Sequence, residues 1–457
     1  MATDVVVVGG GNAGLVAAIS AREVGASVLL LEKAPEWRRG GNTRHTRDIR
    51  YAHPSGEPFT TGEAYPAEEL LDDLQRVGGG KANAAMAELV VGESQTVARW
   101  MTEHGVRWQQ PLTGTLHLGR TNRFFLGGGK ALVNTYYETA QRMGVRVEYE
   151  AAVERLQIDG KCASGVILSG GRTIDTGAVV LTCGGFEANI DWLKRYWGDA
   201  ADNYVVRGTP ENDGRVLASL LDYGAASAGD PKGFHAVAVD ARAPRFDGGI
   251  ATRLDSVPFG IVVNKHGQRF YDEGEEFWPK RYAIWGRLIA EQPEQIAYSI
   301  VDARTIDCFL TSLYKPYLSA SIEGLAEAMG LDPATLACTV RTYNDSVITG
   351  RFDPAKLDDC TTDGLTPPKS HWAQPIDMPP FYGYALRPGV TFTYMGLAID
   401  RECRVLMRDG SALENVFAAG EIMSGNVLSS GYLGGFGLTI GTVFGRIAGR
   451  TAAGGDD

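Results

Sequence analysis

Val5-Val6-Val7-Val8-Gly9-Gly10-Gly11-Asn12-Ala13-Gly14 is the stretch from which the rest of this chain is read. Four consecutive β-branched residues predict a parallel strand buried on both faces. They run directly into G-x-G-x-x-G. Beyond it, an Ala-rich run predicts a helix from about Asn12 to Val24, and Ser27–Leu31 predicts a second strand ending at Glu32. Each glycine has its own work in such a unit. Gly9 permits a tight turn, Gly11 lets the backbone approach a pyrophosphate, and Gly14 lets the helix pack closely on the strand. Asn12 and Ala13 open the helix, whose free N–H groups and positive dipole end attract phosphate. Glu32 stands eighteen residues beyond Gly14, where an acid binds a ribose 2′-hydroxyl, and Lys33 beside it is counted with the cofactor-binding residues. Strand, turn, helix and acid together predict a dinucleotide site. The acid favours FAD or NAD over NADP.

The composition narrows the class. Of 457 residues 58 are glycine, well above a usual share of about 7%, and they fall in short clusters of the kind a backbone needs where it lies against a large ligand. A net charge of −11 without a basic stripe argues against nucleic acid. The apolar stretches are too short to span a bilayer. Met1–Asp4 leads straight into the first strand with no signal-peptide pattern, and the six scattered cysteines contain no C-x-x-C pair. These features predict a cytoplasmic protein with free thiols and no metal site.

The expected architecture is α/β, a Rossmann-like domain interrupted by an inserted α+β capping domain. Residues 33–60 read as a long polar segment without period. Residues 66–143 read as helical, broken by glycine turns at 78–80 and 127–129. Strands are expected at 145–149, 152–157, 163–168 and 178–182. From about 230 the texture changes to short strands (Val237–Val239, Gly260–Asn264), a charged aromatic stretch and helical runs around 318–349. The domain bounds are therefore 1–229, 230–355 and 356–457, with the proline-rich stretch 356–380 as a linker back and a final helix from about Gly437 to Ala452.

A second glycine-rich turn near the far end separates FAD from NAD. Asn415-Val-Phe-Ala-Ala-Gly420-Glu421 reads as a strand, followed by Gly431-Tyr-Leu-Gly-Gly435-Phe-Gly437 at the head of the last helix. Together with Gly40-Gly41-Asn42-Thr43, Thr182-Cys-Gly184-Gly185-Phe186 and Asn212-Asp213-Gly214, these segments resemble the flavoprotein family of fumarate reductases, succinate dehydrogenases and 3-ketosteroid dehydrogenases. The resemblance runs the length of the chain. Within the family, Gly40–His45, Arg120-Thr-Asn-Arg-Phe124, Asp272–Trp285 and Phe381–Tyr394 are similar to tricarballylate dehydrogenases. It implies that FAD meets Gly40, Gly41, Asn42, Thr43, Gly185 and Asp213, that Glu421 contacts the ribityl chain, and that Gly437, Leu438 and Thr439 stabilise negative charge at the pyrimidine end of the ring. Covalent family members carry a histidine at the place of Asn42, so non-covalent FAD is expected.

The implied reaction is oxidation of a C–C bond, with hydride leaving for flavin N5 and a proton leaving the neighbouring carbon. In the family an arginine carries that proton, and by resemblance Arg281 takes the role here, with Lys280 as its rival and Glu273, Glu275 or Glu276 as relay. His235 matches a family histidine that binds substrate carboxylate. Tyr432 stands where fumarate reductases have arginine and resembles the tyrosine of ketosteroid dehydrogenases. Phe392 or Thr393 replaces another family histidine. Arg120, Arg253 and Arg387 are expected to bind carboxylates in its place, with Thr393 and Tyr394 in the substrate site. The expected function is dehydrogenation of a small polycarboxylate, tricarballylate to aconitate in type. The alternatives are a ketosteroid-like enzyme acting beside a ketone and, in another class, a non-catalytic flavin electron-transfer subunit. No haem or cluster motif is present, so electrons must leave through oxygen or a separate acceptor protein. The resemblance implies an acceptor at the inner face of the membrane.

Overall fold

The computed structural model describes residues 3–111, 118–275, 282–309 and 312–455. The first expectation holds almost to the residue. Thr3–Val8 is the strand, Asn12–Glu23 the helix and Val28–Leu31 the second strand. The first strand is central in the main sheet, parallel to Val28–Leu31 on one side and to Thr173–Leu181 on the other. Arg146–Glu148 extends the sheet beyond Val28–Leu31, and Ala412–Ala418 extends it beyond Thr173–Leu181, both in parallel. Residues from both ends of the sequence thus meet in one buried sheet.

The last helix, Phe436–Ala452, lies directly on the first. Glycine at every fourth position makes this possible. A Cβ on Gly441 would lie 2.8 Å from Asn12 Nδ2, one on Gly445 2.7 Å from the Ala13 carbonyl oxygen, and one on Gly449 2.2 Å from that of Ala17. Asn12 Nδ2 then donates to the Leu438 carbonyl and to Thr442 Oγ1. This contact brings the start of the last helix beside the start of the first.

A second sheet stands across the cavity. Its long strand, Phe381–Thr393, pairs antiparallel with Phe234–Asp240 and with Ala297–Asp302, and Ile261–Asn264 flanks the latter. Val205–Val206 joins the long strand in parallel. This sheet therefore takes strands from outside 230–355, because hydrogen bonding and not sequence texture decides where a sheet ends. The helices Ile322–Met329 and Pro333–Ser346 are capped by Ser321 and Asp332 and pack on this sheet.

Three local expectations are corrected. Residues 33–60 contain two 3₁₀ turns, Glu36–Arg38 and Gly41–His45, and the strand Asp48–Arg50, which pairs with Asn122–Phe124. The glycine breaks expected at 78–80 and 127–129 are where Ala67–Gly78 ends and Gly128–Arg142 begins, but between them only Ala84–Glu103 is helical, because the chain returns through the strand Asn122–Phe124. The expected linker 356–380 is anchored rather than loose: Lys369 is fully buried and donates to the carbonyls of Pro258 and Gly260, and Trp372 is buried beside it in sequence.

Candidate active site

One long cavity of about 1670 Å³, its open mouth included, runs between the two sheets. Its lining runs from the first glycine turn, Gly9–Gly11, to His235 and Tyr432. Its floor begins at the first glycine turn. Gly9 has φ +102°, and a Cβ on Gly14 would sit 1.9 Å from the Gly9 carbonyl oxygen. Both glycines are required by the protein itself. Gly11 is different. It has φ −78°, and a Cβ there would meet nothing closer than Thr43 Oγ1 at 3.5 Å, so space is kept open toward the cavity.

That cradle fits FAD. Glu32 is buried at the cavity wall, where it accepts from the backbone N–H of Ala34 at 2.9 Å and of Gly40 at 3.3 Å. Burial raises its carboxyl above the usual range, against the pull of those donors. Asn12 Oδ1 and Thr391 Oγ1 are buried, belong to cavity-lining residues and have no hydrogen-bond partner within the described protein. Buried polar atoms of this kind call for a ligand partner. Gly9, Gly11, Asn12, Ala13, Glu32, Lys33, Gly41, Asn42, Thr43, Asp213, Glu421, Gly437 and Leu438 all line the cavity. Gly14, Gly40, Gly185 and Thr439 stand behind it. A Cβ on Gly185 would lie 2.4 Å from Glu421 Oε1, and Thr439 Oγ1 donates to the Arg50 carbonyl. Asp213 holds Lys33 Nζ at 3.0 Å and Arg215 Nη2 at 2.7 Å. Burial would raise its carboxyl, but these two cations hold it below the usual range.

Asn42 is committed to the protein. Its Nδ2 donates to Glu187 Oε1 at 2.6 Å and to the Thr391 carbonyl at 2.7 Å, and its Oδ1 accepts the Thr209 N–H at 2.8 Å. An amide nitrogen is in any case no nucleophile toward a flavin methyl group. His45, also at the wall, has its Nε2 2.8 Å from Asp247 Oδ1. Acid precipitation of the purified protein is accordingly expected to release all of its flavin into the supernatant. Yellow colour that stays with the denatured pellet would show a covalent bond.

The other end of the cavity carries the polar chemistry. His235 and Tyr432 stack with ring centroids 3.9 Å apart and an interplanar angle of 13°. Burial, then the charges of Arg207 and Arg253, push His235 well below the ordinary histidine value. Its ring is therefore neutral at pH 7 and brings no charge of its own to an anion. The charge at this end comes from the two guanidinium groups that act on His235, Arg207 and Arg253, the latter paired with Asp255 at 2.6 Å; Arg47, also at the wall, is paired with Asp48 at 3.1 Å. Tyr432 Oη accepts the N–H of Gly437 at 2.9 Å, in the first turn of the last helix. A hydroxyl whose oxygen already accepts a hydrogen bond there is a stronger donor.

Four expected substrate residues do not reach the cavity. Arg387 lies up the long strand opposite Val239, and its charge is felt at Tyr298 on the neighbouring strand. Arg120 is held by Glu69 and the Ala64 carbonyl. Thr393 faces Glu421, to which its N–H donates at 2.8 Å, and the Tyr394 hydroxyl donates to the Gly431 carbonyl. Alternation along the strand, offset by a bulge opposite His235 and Ala236, instead turns Thr391 and Phe392 to the cavity. Arg281, Lys280 and Glu276 lie outside the described residues. Glu273 is buried in an ion pair with Arg269, and Glu275 accepts from the Tyr271 hydroxyl. Arg47 and Arg207 were not singled out in the sequence, where no period or motif marks them.

Comparison with known proteins settles the family. The model of the FAD binding domain family matches residues 4–438. The chain belongs to that family. Its cofactor is FAD, and its fold is that of the fumarate reductase flavoproteins, a group of FAD-dependent oxidoreductases. This flavoprotein is 27% identical over 463 residues to the NADH:fumarate oxidoreductase of Klebsiella pneumoniae (strain 342), covering 98% of the chain and 47% of that relative. The chain thus spans about half of the relative's length. With the 4-oxocyclohexanecarboxylate 2-dehydrogenase of Sinomonas cyclohexanicum it shares 26% identity over 547 residues, 99% of the chain and 93% of the relative. The 3-ketosteroid-Δ4-(5α)-dehydrogenase of Rhodococcus jostii RHA1, solved with 4-androstene-3,17-dione, superposes with a TM-score of 0.75 at 24% identity, over 99% of this chain and 96% of that one. Among the described residues no helix is long and apolar enough to cross a membrane.

Proposed function

We propose that this flavoprotein dehydrogenates a C–C single bond next to a carboxylate in a small polycarboxylate, of the tricarballylate-to-aconitate type. The observation that carries the reading is the placement of Arg207 and Arg253 beside a neutral His235 at the wall of one cavity. Desolvated guanidinium groups bind carboxylates in bidentate, charge-assisted pairs. Two of them side by side suit a ligand with more than one anionic group.

FAD supplies the hydride acceptor, at N5. The chain's residues do the rest. Arg253 and Arg207 anchor a carboxylate, which makes the proton on the adjacent carbon more acidic. His235 donates a hydrogen bond to the same anion, and its stacking on Tyr432 fixes the ring. Phe392 narrows the apolar side of the cavity. The proton leaves to Arg281, a role supported by the family resemblance. A separate electron-acceptor protein then reoxidises the cofactor.

A second reading has its own observation. The Tyr432 hydroxyl, polarised by the Gly437 N–H, suits the developing enolate of a ketone, and the fold is shared with a ketosteroid enzyme. Adding tricarballylate and, separately, a cyclic ketone to the yellow protein without oxygen distinguishes the two. Bleaching by the polycarboxylate alone is expected. Bleaching by the ketone alone overturns the assignment, and bleaching by neither leaves the electron-transfer subunit standing.

A further inference from the structure

Arg253 is held by an acid that the reaction above does not use. Arg253 Nη2 donates to Asp255 Oδ2 at 2.6 Å, and the two side chains are only 5% and 10% exposed. Arg253 lines the cavity and Asp255 does not. The other carboxylate oxygen, Asp255 Oδ1, is buried without a donor in the described protein. Among the described residues, then, the acid serves the arginine and no second side chain.

The backbone alone does not fix Arg253. Its segment joins the strand Phe234–Asp240 by an isolated β-bridge to Val239 and by the Leu254 N–H, which donates to the Ala238 carbonyl at 3.0 Å. Arg207 is secured differently. Its N–H donates to the Val390 carbonyl on the long strand at 2.8 Å, and its Nε to the Gly249 carbonyl at 3.3 Å. Its stem crosses the long strand where a Cβ on Gly389 would come within 2.9 Å of Arg207 Cδ. A carboxylate does for Arg253 what the sheet does for Arg207.

We propose that Asp255 is a positioning residue for the substrate: it holds the Arg253 guanidinium in the orientation that receives a carboxylate in the cavity. The inference rests on the carboxylate reading of Arg253 given above. An arginine fork carries five N–H donors, so holding Asp255 and binding a ligand carboxylate are compatible. A fork fixed before the ligand arrives spares binding the cost of ordering a flexible side chain. The charge of Asp255 acts in the other direction, because a neighbouring carboxylate weakens the pull of the guanidinium on an anion. Positioning and charge therefore predict opposite signs when Asp255 is removed.

The test is the dissociation constant of tricarballylate from the oxidised holoenzyme, read from the flavin absorbance, together with KM and kcat. Asp255→Ala is expected to bind about tenfold more weakly, with KM rising and kcat retained. Asp255→Asn keeps an acceptor for the Arg253 fork without the charge, and is expected to bind at least as tightly as wild type. On an Arg253→Ala background, Asp255→Ala is expected to change the affinity by less than about twofold, since a residue that acts through another has no effect once that one is gone. A merely structural role would weaken binding on both backgrounds and so rejects the proposal. Undiminished binding by Asp255→Ala, or an equal loss in Asp255→Asn, also overturns it. If Asp255→Ala does not fold, the crystal structure of wild type with tricarballylate decides. Arg253 holding Asp255 and a ligand carboxylate together supports the role, and Arg253 turned away from Asp255 rejects it. Failure of the polycarboxylate reading shows separately, as an Arg253→Ala variant that binds tricarballylate like wild type.

Discussion

Gly11→Ala is expected to fold as the parent does and to bind FAD about a hundredfold more weakly, whereas Gly14→Ala is expected to lose the fold. The two glycines look alike in the sequence but meet different things. A methyl group on Gly14 would have to displace the Gly9 backbone carbonyl, 1.9 Å away. Forcing first strand and first helix apart costs about 3 kcal/mol or more at a packed site. A methyl group on Gly11 meets the protein only at Thr43 Oγ1, 3.5 Å away, an ordinary contact at an ordinary φ. What it obstructs is the approach of a pyrophosphate. A hundredfold loss corresponds to about 2.7 kcal/mol. Thermal melts of the apoproteins and FAD titrations separate the effects. A Gly11→Ala apoprotein with a lowered melting temperature and undiminished FAD affinity would place the ligand elsewhere.

Substrate recognition gives the second large effect. Arg253→Ala and Arg207→Ala are each expected to raise KM for a tricarboxylate by about ten- to a hundredfold, about 1.4 to 2.7 kcal/mol, with Arg387→Ala near wild type as a control outside the cavity. Tyr432→Phe should cost less than either on a carboxylate. On a ketone it should cost much more, since the developing enolate depends on the hydroxyl. Arg253 also neutralises the buried Asp255, so each variant's melting temperature is compared with its kinetics. Unchanged KM in both arginine variants with a large loss in Tyr432→Phe would leave the ketone-type enzyme as the function.

The cofactor half of this site was legible in the sequence because its determinants are local. Gly9, Gly11, Gly14 and Glu32 lie within one strand–helix–strand unit, and their spacing is the geometry. The substrate half was not, because it is assembled by pairing between distant strands. Arg387 and Arg207 are indistinguishable as letters. Only the pairing of Val205–Val206 with the long strand places one beside His235 and the other beyond reach. A single bulge opposite His235 likewise decides that Thr391 and Phe392, not Thr393 and Tyr394, line the cavity. Glu187 escaped notice for a related reason: the Asn42 amide that donates to it belongs to a loop far away in the sequence.

The four-residue glycine rhythm of the last helix has a consequence for biosynthesis. Until Gly441, Gly445 and Gly449 have emerged, the close packing of the last helix on the first, which sets the Gly437–Leu438 wall beside the Gly9–Gly14 turn, cannot form. A ribosome stalled before Phe436 would carry a complete first strand–helix–strand unit and a complete second sheet, yet no enclosed binding site. The wall that closes the cavity over the first glycine turn is thus the last part of it to be synthesised.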